Sequence, residues 1–60
     1  MPRTRFIFEG HTIESRDFAE SDNELQPDTL YEIKGRIYRI GATRTNPVTG
    51  DLTISLGKHP

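Results

Sequence analysis

The sixty-residue chain contains no cysteine and no tryptophan. Without cysteine there is no disulfide framework and no thiolate metal site to brace so short a chain, and nothing points to an oxidising compartment. No apolar run approaches the roughly 20 residues of a membrane span, and the N-terminus lacks the apolar core of a signal peptide, so a cytoplasmic protein without membrane contact is the expectation. Glycine-rich phosphate loops are missing. The serines at 15, 21 and 55 stand in no motif with a histidine and an acid. Neither enzymatic activity nor a cofactor is expected.

Hydrophobic residues make up 32% of the chain. A domain of about 60 residues buries only about 60% of the surface its unfolded chain exposes. A partner or a second copy would therefore help to stabilise it. The net charge of −1 provides no global attraction to nucleic acid or to an anionic membrane. Its distribution says more: residues 1–8 carry +2, residues 9–32 hold eight acids against Arg16, and residues 33–60 hold five Lys and Arg against Asp51. Charge is segregated along the chain.

Strand-favouring residues alternate with polar ones around two Gly-containing turns, Glu9-Gly10 and Lys34-Gly35. The first hairpin is expected to set Phe8 opposite His11, Phe6 opposite Ile13 and Arg5 opposite Glu14. Phe6, Phe8, His11 and Ile13 would then share the core face. The second is expected to pair Ile33 with Arg36 and Tyr31 with Tyr38, with Leu30, Glu32, Ile37 and Arg39 on the other face. Gly41 marks a bend or bulge in a long strand. The loop from Asn46 to Gly50 closes a third hairpin, after which Leu52, Ile54 and Leu56 face inward.

Between the first two hairpins lies an acidic connection over 17–28, which Pro27 limits to one or two helical turns. Phe18 and Leu25 within it are expected to fold back and close an open end of the sheet. Strands near 3–8, 11–16, 29–33, 36–44 and 51–56 describe an all-β domain: a small five-stranded half-open antiparallel barrel. The run from Asn23 to Ile33 resembles the turn that leads into the central strands of SH3-like domains. This likeness covers about a fifth of the chain and implies a similar architecture. The acidic and aromatic peptide-binding motifs of SH3 domains are absent, so no binding residues follow from it.

Two residue sets stand out as candidate surfaces. Tyr31 and Tyr38, with Lys34, Arg36, Arg39 and Arg44, combine flat rings with cations, as single-stranded nucleic-acid binders do. The plainer reading puts both rings in the core and the arginines on a solvated face. Asp17, Glu20, Asp22, Glu24 and Asp28 could dock on a basic partner or form a solvated loop. They lack the regular ligand spacing and turn glycine of a calcium loop. His11 and His59 suggest no metal site. The primary expectation is a non-enzymatic module that binds a protein through an exposed strand edge or the acidic loop. A nucleic-acid-binding module and a structural subunit of a homo-oligomer are the alternatives.

Overall fold

Two tight turns set the strand pairs in the structure, a computed structural model that describes residues 1–59. Glu9 and Gly10 have φ of 52° and 82°, and Lys34 and Gly35 have 52° and 80°. Positive φ at both central residues is the type I′ geometry, whose twist matches that of the flanking strands, and glycine adopts it at no steric cost. The turns join β1 (Arg3–Phe8) to β2 (His11–Asp17) and β3 (Leu30–Ile33) to β4 (Arg36–Thr45). In the third hairpin, Asn46 Oδ1 accepts hydrogen bonds from the Val48 and Thr49 amides, and the chain returns as β5 (Leu52–Lys58). A single 3-10 turn, Glu20–Glu24, interrupts the acidic connection.

The strands form one curled sheet in the order β2-β1-β5-β4-β3, a half-barrel consistent with SH3-like architecture. Three of its joints are antiparallel as expected, whereas β1 and β5 run parallel, from Thr4 opposite Leu52 to Phe8 opposite Leu56. This order puts β2 and β3, consecutive in the chain, at opposite edges of the sheet. The connection between them must therefore cross one end of the barrel. It carries Phe18 and Leu25 against the core there, as their isolation in a polar stretch suggests. At the far end, where both type I′ turns lie, the described residues provide no such plug.

Alternation sends Phe6, Ile33, Ile40, Leu52, Ile54 and Leu56 into the core. Aromatic contacts between strands that are not sheet neighbours record the curl. The Phe6 and Tyr31 rings stack at 5.2 Å, and Phe8 and Tyr38 meet at 5.0 Å with a 59° tilt. Tyr31 stands opposite Tyr38 and Ile33 opposite Arg36, as the second turn dictates. Gly41 is the extra residue of a bulge, since Ile40 opposes Leu56 and Ala42 opposes Ser55.

The first hairpin departs from the expected register. Phe8 opposes His11 and Ile7 opposes Thr12, but Phe6 then opposes Glu14 and Arg5 opposes Ser15, leaving Ile13 as a bulge residue. An unbroken register would have put Arg3 opposite Arg16. The slip puts Arg3 opposite Asp17 instead, where Nη1 and Oδ1 are 2.9 Å apart. Ile13 still packs against the core. His11, expected on the core face, is exposed, because β2 is the edge strand and the Phe8 ring opposite it packs towards Tyr38 instead.

Candidate functional site

The arginines of the N-terminal third are consumed internally. Arg5, expected to pair with Glu14, reaches Asp51, with Nη1 2.9 Å from Oδ2, while the Arg3 amide donates to Asp51 Oδ1 at 2.8 Å. The Arg3 amide and then the Arg5 side chain hold the Asp51 carboxyl below its usual range, against an opposing effect of burial. Arg16 ion-pairs with Asp22 and lies over the Phe6 ring, 5.4 Å from its centroid.

Asp22, grouped by sequence with a solvent-facing acidic loop, is 3% exposed. Its Oδ2 accepts from the Thr4 hydroxyl at 2.7 Å and from the Ala19 amide at 3.0 Å. It therefore ties the 3-10 turn to β1 and β2 and presents nothing to a partner. Asp17 remains exposed in its ion pair with Arg3. Asp28 adopts φ of 69° and donates its amide to the Ile40 carbonyl at 2.7 Å, with its side chain in solvent. Glu20 and Glu24 are exposed on the 3-10 turn. The acidic set is thus divided between structural anchors and free carboxylates.

The basic and aromatic set is divided as well. Tyr31 and Tyr38 are half-buried on the inner face against Phe6 and Phe8. Register puts Arg39 with Leu30, and Arg44 with Thr53, on the outer face. One strand face cannot present both tyrosines together with Arg39 and Arg44. Tyr38, opposite Lys58 in the register, shares one hollow with Arg36 and Lys58 and another with Arg36 and Lys34. Lys34, Arg36, Arg39, Arg44 and Lys58 are all exposed, and the ion pairs of the described residues involve none of them.

A further feature is the free half of β4, an overhang already implied by the expected strands at 29–33 and 36–44. The strand has ten residues and β3 only four, and pairing with β3 extends from Arg36 to Arg39. The Ile40 amide then donates to the Thr29 carbonyl at 2.8 Å. Among the described residues no strand flanks Gly41 to Thr45 on that side. The Asn46 amide donates to the Asp51 carbonyl at 2.8 Å, which fixes the alternation backwards along β4. Arg44 and Ala42 direct their backbone groups to β5, whereas Thr43 and Thr45 direct theirs to the open side. A hollow of about 290 Å³ lined by Ala42, Thr43, Arg44, Thr53 and Ser55 lies next to this edge.

Among the described residues no group of three or more His, Asp or Glu side chains is placed to hold a metal ion, and no helix is long and apolar enough to cross a membrane. No family model, curated protein or solved structure matches the chain.

Proposed function

We propose that this protein is a non-enzymatic binding module that takes up an extended segment of a partner protein as an added strand beside Gly41 to Thr45. The observation that carries this reading is the pair of open backbone positions, Thr43 and Thr45, on a strand that outruns its neighbour by six residues. Added strands gain affinity from main-chain hydrogen bonds and selectivity from alternate side chains. The other edges are guarded. β2 is bulged and turns Arg16 inward, two devices that discourage strand addition, and β3 is very short. The free half of β4 has only Arg44 as a charged guard.

Thr43→Pro tests the reading cleanly, because the amide it removes points away from β5 and proline is tolerated on such edge positions. The variant is expected to fold with an unchanged β-sheet spectrum and to lose the partner that the wild-type protein captures from extracts of its own cell. Photo-crosslinking from position 45 should map to an extended segment of that partner. Equal capture by wild type and Thr43→Pro would refute the strand-addition mode. A concentration-dependent dimer mass abolished by Thr43→Pro would show instead that the added strand comes from a second copy.

A further inference from the structure

The end of the barrel opposite the Phe18 and Leu25 plug is left open by the described residues and is flanked by the Glu9-Gly10 and Lys34-Gly35 turns. A hollow of about 490 Å³ occupies it, lined by Phe8, Tyr38, Arg36 and Lys58 with Glu9 and His59. A second hollow of about 320 Å³, lined by Ile13, Ile33 and Lys34, shares Arg36 and Tyr38 with the first. Lys34, Arg36 and Lys58 thus line the hollows beside Tyr38, and none has an ion-pair partner among the described residues.

We propose that this mouth binds single-stranded nucleic acid, with one base against the Phe8 and Tyr38 rings and neighbouring phosphates on Lys34, Arg36 and Lys58. Single-strand binding requires aromatic surface for the base beside cations for the phosphates, and the mouth brings the two together. The outer face does not, because Arg39 and Arg44 have no aromatic neighbour on their side of the sheet. Among the described residues that line the two hollows, Lys34, Arg36 and Lys58 stand against one carboxylate, Glu9, so the charge of the rim suits a polyanion. A hollow that sets the Phe8 and Tyr38 rings beside Arg36 and Lys58 favours a nucleotide unit, with its flat base and its phosphate, over a simple acidic peptide. The mouth and the free edge lie at opposite ends of β4, so this inference stands apart from the strand-addition reading.

The test is a titration of the isotopically labelled protein with an oligothymidylate of eight nucleotides, followed by NMR at low and at tenfold higher salt. Amide shifts are expected at Phe8, Tyr38 and Lys58. With three phosphates neutralised, affinity should fall about a hundredfold over that salt range. Removing two cations, in the Arg36→Gln and Lys58→Gln double variant, should reduce the fall to about fivefold. Tyr38→Leu should weaken binding about 5- to 150-fold through loss of a stacked base. Because Tyr38 also packs on Phe8, the double surface variant carries the test if Tyr38→Leu unfolds. The proposal is overturned if the mouth amides do not shift. It is equally overturned if inorganic tripolyphosphate binds as well as the oligonucleotide, if thymidine monophosphate does so, or if a phosphotyrosine peptide binds more tightly.

Discussion

The N-terminal hairpin and the C-terminal meander use the same side chain for opposite ends. Arg3, Arg5 and Arg16 each meet a carboxylate, on Asp17, Asp51 and Asp22, whereas Arg36, Arg39 and Arg44 meet none among the described residues. The contrast separates charge that holds the fold together from charge left for a partner. A count of basic residues in each segment cannot make that distinction.

The comparison is sharpened most by removing the buried anchor. Asp22→Ala would leave the Thr4 hydroxyl and Arg16 without their acceptor and should destabilise the fold by about 1.5 to 3 kcal/mol, measured by urea unfolding. In so small a domain that is a large fraction of the whole. An unchanged urea midpoint would mean that Asp22 is no anchor.

Next in size is the acid response. Because the folded-state pKa of Asp51 is lowered, its contribution to stability is complete above the unfolded value, roughly 3.9. It drains away as pH falls towards the lower folded value, where the unfolded state binds the proton first. Asp51→Asn should therefore have a shallower decline in melting temperature below about pH 4 than the parent. Identical pH profiles would rule this contribution out.

The smallest effects come from the exposed charges, and their difference in sign of use is informative. Arg3→Gln breaks a solvent-exposed ion pair and should cost about 0 to 1 kcal/mol. Arg39→Gln breaks none, so its change should stay within about 0.5 kcal/mol. A larger loss from Arg39→Gln, measured in the same urea series, would overturn the division between committed and uncommitted arginines.

Local features were legible because local chemistry dictates them. Glycine at the second position of each turn forces the hairpin geometry, and a side-chain period of two then fixes Tyr31 opposite Tyr38 and points Leu52, Ile54 and Leu56 inward. Phe18 and Leu25 were readable because they are the large apolar residues of an otherwise polar connection. What escaped depends on residues distant in the chain. The parallel joint of β1 and β5 leaves no short-range pattern. Ile13 becomes a bulge because of how Arg3, Arg16 and Asp17 oppose one another, which only a comparison of registers by charge would have exposed.

Among the candidate site residues, Asp22 carried one overlooked signal. It stands three residues after Ala19, the spacing at which a carboxylate can reach back to an amide at the start of a helical turn, and Arg16 is the lone base in the acidic stretch. The overhang of β4 past its neighbour followed from the expected strand lengths, but which edge it leaves open did not. An edge is defined by where a neighbour stops, and β3 stops where the connection crosses the barrel end.

That crossing also constrains how the molecule comes into being. β1 finds its second neighbour only in β5, and the Arg3 amide closes on Asp51 across 48 positions of sequence. During synthesis the first hairpin can turn, but its apolar face stays uncovered until Leu52 to Leu56 have been made. Contacts of such long range slow folding and prolong the exposure of unpaired strands. Until β5 is in place the two hairpins share no strand, so this one strand turns two separate ribbons into a single sheet.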